Sequence, residues 1–130
     1  MANPPTILPG EVQEPAEKSS SLIATLADLN RVVHEPARLA ILTILASCES
    51  ADFTFLEAAT GLTKGNLSVQ LTRLEEASLI HIAKTTKKNR TVTTAQIVAE
   101  GRYQLGRYWR QMEEIRDASA LPPNATSRDA

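Results

Sequence analysis

Between Thr54 and Ala77 one helix must end and another begin almost at once, and this stretch constrains the fold more than any other. Thr54 and Glu57 have the Thr-x-x-Glu spacing of a capping box, in which each side chain satisfies an N–H that the helix start leaves unpaired. A short helix is therefore predicted from about Phe55. Gly61 ends it, because glycine takes up the left-handed conformation found just past helix ends without steric cost. Thr63 caps the next helix, and Leu62 and Leu67 flank that cap with the spacing of a hydrophobic staple. This second helix is expected over about 63–77, with Leu67, Leu71 and Leu74 on its buried face. Two helices across so short a glycine-containing turn make a helix-turn-helix.

The elements on either side fit that unit. Leu22, Leu26, Leu29 and Val33 repeat at helical spacing, which predicts an amphipathic helix over 20–33. Pro36 suits the first position of another helix, where its missing N–H would have been unpaired anyway. The body of that helix, Ala37 to Ala46, is apolar almost all round, so it is expected at the centre of the core. After Ala77 the period changes to two. Leu79 to Lys84 and Thr91 to Ile97 read as strands, and 85–90 as a polar hairpin tip. A long helix from about Ala99 to Asp117 closes the chain, with Leu105, Tyr108, Trp109, Met112 and Ile115 in a stripe. The fold class is mainly α with a small β-hairpin.

Length and composition narrow the class further. A chain of 130 residues suits one domain, since a second core would need roughly 50 residues more. The proline-rich ends, 1–19 and 119–130, carry too little apolar surface to offset chain entropy and are expected to be disordered, leaving 20–118 as the domain. Cys48 is the sole cysteine, which excludes an intramolecular disulfide and a multi-cysteine metal cluster; it reads as a small buried apolar residue. No signal peptide and no run near 18 apolar residues is visible, so a cytoplasmic protein is expected. The Asn-x-Ser/Thr triplets at Asn66, Asn89 and Asn124 then read as chance matches. His34 to Arg38 begins like a zinc-protease motif but ends in arginine. Gly101 to Gly106 has P-loop spacing without the following lysine. With two histidines far apart and no nucleophile motif, no enzyme, metal site or cofactor is expected.

The net charge of −1 hides an uneven distribution. Residues 1–60 carry −5, residues 61–94 carry +4, and residues 95–130 balance. A basic middle in an acidic chain can be an electrostatic footprint for a polyanion.

The order of elements is that of a winged helix, and residues 36–101 resemble the winged-helix transcriptional regulators of the ArsR/MarR type, closest to a subgroup of small winged-helix DNA-binding domains. The resemblance rests on Pro36 to Leu42, Asp52-Phe53, Gly61 to Ser68, Leu71 to Ala77 and Glu100 to Arg102. It implies a prokaryotic transcription regulator that pairs through its terminal helices as a homodimer on palindromic double-stranded DNA. Metal-sensing members of that family use cysteine pairs near the helix-turn-helix, whereas Phe53 to Thr60 has neither cysteine nor histidine. Three positions depart from the family pattern. Ser78 stands where glycine is usual, Gln70 where many relatives have histidine, and Ile97-Val98 where Leu-Thr usually precedes the last helix.

On this reading the second helix enters the major groove. Thr63, Lys64, Gly65, Asn66, Ser68, Val69, Gln70, Thr72 and Arg73 are its candidate DNA contacts, with Gln70 able to pair with adenine and Gly65 allowing close approach. Lys84, Lys87, Lys88 and Arg90 form a basic wing, 84–90, for the backbone or minor groove. Leu22, Leu26 and Leu29, with Leu105, Tyr108, Trp109, Met112 and Ile115, are the candidate dimer contacts. The alternative is a winged-helix protein-docking module without DNA binding, which would need no cationic wing. A second variant keeps DNA binding and adds a small-molecule switch in a pocket between the domain and the dimer helices, but no residue pattern identifies its ligand.

Overall fold

The computed structural model describes residues 22–120. The disorder expected for 1–19 and 121–130 lies outside them, and Ser119 still belongs to the last helix. Contacts group the described residues into two units, Asn30–Trp109 and a smaller one that joins residues up to Leu29 with those from Arg110 on.

The first helix, α1, covers 22–27 and stops well short of the expected 33. Asn30 explains the difference. Its Oδ1 accepts from the N–H groups of Val32 (2.9 Å) and Val33 (3.2 Å), offering the backbone a turn in place of a continued helix. The periodicity nevertheless picked out buried residues, as Leu29 and Val33 are both enclosed. Asp28 accepts a hydrogen bond from Gln111 Nε2 (3.3 Å), and Thr25 Oγ1 donates to Glu114 (3.5 Å), both within the smaller unit.

In the larger unit, α2 (Pro36–Ala46) starts as expected with proline in its first turn. It buries Ile41, Leu42 and Leu45, and packs against the next two helices and the sheet. A two-residue strand, β1 (Ala51–Asp52), follows and had no signal in the sequence. Next comes α3 (Phe53–Thr60), whose cap is Asp52, not Thr54. The Asp52 carboxylate accepts from Phe55 N at 2.7 Å, and aspartate is the stronger cap of the two. The capping box expected at Thr54 is thus displaced by two residues.

Gly61 ends α3 in the left-handed conformation (φ 78°). Thr63 Oγ1 accepts from Asn66 N (3.1 Å) and so caps α4 (Lys64–Glu76), both as the sequence predicts. At the far end of α4, Leu79 N donates to Leu74 O (3.0 Å) and Ser78 N to Glu75 O (2.9 Å). This pair of bonds is a Schellman motif, and it requires the left-handed backbone found at Ser78 (φ 64°).

The strands β2 (Ile80–Lys87) and β3 (Arg90–Ile97) are longer than expected, because Thr85, Thr86, Lys87 and Arg90 all pair within the ladder. Only Lys88 and Asn89 form the turn, both with positive φ (51° and 64°), as a two-residue hairpin of right-handed twist demands. The sheet order is β1-β3-β2, antiparallel throughout. Ile80, Ala95 and Ile97 share its buried face.

The last helix, α5 (Ala99–Ser119), starts against this sheet. A Cβ on Gly101 would lie 2.1 Å from Leu79 O and 2.7 Å from Ile97, so only glycine fits there. Arg102 reaches back to cap the end of α2 through Ala46 O (3.0 Å).

Candidate nucleic-acid interface

The apolar stripe of α4 is enclosed, with Leu67, Leu71 and Leu74 all 3% exposed or less. The rest of the helix turns outward as a consequence. Lys64, Gly65, Asn66, Ser68, Val69, Thr72 and Arg73 are exposed, as is the cap Thr63; Gln70 is half-buried. Val69 is 49% exposed, unusual for a β-branched apolar side chain. A Cβ built on Gly65 meets nothing within 4 Å, so no packing in this chain requires glycine there. Its effect is to leave the first turn of α4 open to close approach from outside.

Some of these side chains already have partners. Lys64 Nζ lies 3.4 Å from Glu57 Oε1, but the lysine is three-quarters exposed and the pair adds little. Thr72 Oγ1 bonds back to Ser68 O at 3.0 Å. Gln70 is the most engaged. Its Oε1 accepts from Arg38 Nη1 at 2.7 Å, and its Nε2 donates to Asn66 Oδ1 at 3.0 Å. Sequence reasoning missed Arg38 as part of this face, because the contact joins residues 32 positions apart on different helices.

The wing is fixed to α4 at its base. Glu75 Oε2 accepts from Ile82 N at 2.9 Å, and His81 Nδ1 stands 4.0 Å from the same oxygen. Glu75 was also missed, since nothing in its own sequence neighbourhood distinguishes it from the adjacent Glu76. Further out, Lys84, Lys87, Lys88 and Arg90 are exposed, and among the described residues none of them forms a hydrogen bond or ion pair through its side chain. Lys84 stands on the α4 side of the sheet, lining a shallow cleft with Ser68, Thr72 and Glu75. Lys87 and Arg90 are directly opposed in the ladder, and Lys88 occupies the strained tip beside them. Like charges facing each other across two strands destabilise a hairpin in isolation. An anion placed over them removes that penalty.

The winged helix DNA-binding domain family model matches residues 37–116, which takes in every element from α2 to most of α5. The chain belongs to this family. An uncharacterized protein, MJ0432, of Methanocaldococcus jannaschii is 31% identical over 78 residues, covering 60% of this chain and 85% of the relative. A transcriptional regulator homologue from Pyrococcus horikoshii OT3 superposes with a TM-score of 0.67 at 23% identity, covering 81% of this chain and 99% of that one. A MarR-family transcriptional regulator from Silicibacter pomeroyi gives a TM-score of 0.54 at 17% identity, covering 87% of this chain and 78% of its own. Both structures share the winged-helix fold. Among the described residues no group of three metal-ligating side chains occurs, and no helix is long and apolar enough to cross a membrane.

Of the candidate dimer residues, Leu29, Leu105 and Tyr108 are buried. Tyr108 is 3% exposed, with its hydroxyl 2.8 Å from His34 Nδ1, and burial raises its pKa above the ordinary value of 10.0. Met112 and Ile115 are half-buried, and Leu22, Leu26 and Trp109 remain exposed. Cys48, expected to be buried, is half-buried, with its thiol 3.4 Å from Ile44 O.

Proposed function

We propose that the protein is a homodimeric transcriptional regulator that reads specific sites on double-stranded DNA, with α4 in the major groove and the β2–β3 wing on the neighbouring backbone or minor groove. The observation that carries this reading is the wing. Four exposed cations have no side-chain partner among the described residues, and two of them, Lys87 and Arg90, are held face to face at the hairpin end of the ladder. A docking module has no use for this arrangement, which costs stability until an anion covers it. The division of labour follows from the chemistry. Phosphate contacts from Lys87, Lys88 and Arg90 supply affinity, while the first turns of α4 supply base contacts.

The wing is tested by changing Lys87, Lys88 and Arg90 together to alanine. Each phosphate contact contributes about −0.9 to the slope of log affinity against log salt. The triple variant is expected to weaken binding to every duplex and to make that slope about two to three units less steep per protomer. An unchanged slope would remove the wing from the interface.

A further inference from the structure

The network behind α4 says more than that its polar face is exposed. Arg38 on α2 points back into the protein, donating through Nε to Val32 O (2.6 Å) and through Nη1 to Gln70 Oε1 (2.7 Å), with Nη2 3.4 Å from Arg31 O. A guanidinium has donors and no acceptor, and it stays charged at any pH a protein meets. Gln70 can therefore offer it only the carbonyl oxygen. That fixes the orientation of the Gln70 amide and leaves its nitrogen to face Asn66, which must in turn give its own carbonyl oxygen to the 3.0 Å bond. The polarity runs one way along the whole chain, and its last group is the Asn66 amide nitrogen. Asn66 lies in the first turn of α4 and is exposed, while Gln70 is half-buried and bonded on both sides.

We propose that Arg38 is a specificity-determining positioning residue, which sets Gln70 and Asn66 so that α4 presents a hydrogen-bond donor, selective for guanine, at the base pair Asn66 meets. This inference rests on the DNA-binding reading above. A free asparagine or glutamine amide ordinarily pairs with adenine, because it offers a donor and an acceptor side by side. Here one lone pair of the Asn66 oxygen is directed to Gln70, and Gln70 is bonded at both ends, which holds the two amides in one orientation with the Asn66 nitrogen outermost. The adenine pairing that the sequence suggests for Gln70 is accordingly not the one this network favours. Guanine shows two acceptors, N7 and O6, at its major-groove edge and is the base best matched to a donor alone.

The test is selection of bound sites from a randomised duplex pool by the full-length chain and its variants, with thermal unfolding and the salt slope measured in parallel. The unaltered chain is expected to select guanine at one position in each half-site. Arg38→Met keeps the aliphatic stem but removes the fixed donor, so both amides can rotate. Guanine over adenine at that position is then expected to fall about tenfold, with the salt slope unchanged. Gln70→Leu severs the same chain from the other side with the Arg38 charge intact, and the same relaxation is expected. The double variant should be no more relaxed than either single one, as members of one network are not additive. Asn66→Asp keeps the acceptor Gln70 needs, replaces the donor with a carboxylate, and should abolish the guanine preference. A uniform loss of affinity with the base preference intact would overturn the inference, because that is what a merely structural role produces. So would a salt slope reduced by about one in Arg38→Met, which would make Arg38 a phosphate contact. A site consensus that the Arg38 and Gln70 variants leave unaltered overturns this inference alone. No consensus for the unaltered chain overturns the DNA-binding reading with it.

Discussion

Ser78 holds a left-handed backbone (φ 64°) that a residue with a Cβ adopts only at a cost of about 1 kcal/mol or more. The Schellman bonds that close α4 enforce it, and Leu74 and Leu79, on either side of the motif, are both buried. Ser78→Gly is therefore expected to stabilise the fold by about 1 kcal/mol, after allowing for the added freedom of the unfolded chain. Chemical denaturation measures this directly, and a destabilised variant would show that the serine side chain contributes something the backbone argument omits. The departure at Ser78 was visible in the sequence, and its consequence followed from glycine's conformational freedom alone. The Gln70 network was not visible in the same way. Gln70 could be placed on the polar face of a helix from its spacing. Its partner Arg38 depends on how α2 crosses α4, and no local pattern encodes that.

At the scale of elements, the sequence was most legible where local chemistry decides the outcome. Gly61, Thr63 and Pro36 each act on backbone groups within a few residues, and the helix ends they predict are present. Legibility failed where two local options competed. Asp52 and Thr54 both suit a helix start, and β1 settles the choice by pairing Asp52 with Thr94, so that the chain enters α3 at once. Asp52→Ala should then cost about 1 kcal/mol in thermal unfolding, whereas Thr54→Ala should cost less than half as much. Equal losses would restore Thr54 to the cap. The two residues of β1 are too few to show a period, and α1 shortens because Asn30 takes over the N–H groups of Val32 and Val33. The hairpin was recognisable by composition, but its tip was overestimated. Threonine and lysine read as polar loop residues, although β-branched threonines sit well in an exposed ladder.

The molecule as a whole carries exposed apolar side chains that its own core leaves uncovered. Leu22, Ile23 and Leu26 on α1 are 39–70% exposed, and Trp109 on α5 is 46% exposed. Contiguous exposed apolar patches mark interaction surfaces, whereas single scattered residues do not, and Leu22, Ile23 and Leu26 lie together on one short helix. Pairing of two copies through these helices would cover them and place two α4 helices on one duplex, about one helical turn apart. Sedimentation at micromolar concentration should give twice the chain mass, and Leu26→Glu should shift it toward the monomer. A monomer in the unaltered protein would contradict the paired arrangement. The uneven charge belongs to this scale too. A basic α4–wing segment at +4 within a chain of net −1 is expected to make DNA contact local and salt-sensitive, with the acidic remainder opposing indiscriminate binding. Selection from a randomised duplex pool across a salt series tests most directly whether this surface reads sequence. A palindromic consensus whose affinity falls steeply with salt is the expected result. No enrichment even at low salt would contradict it and favour a winged helix that docks to protein.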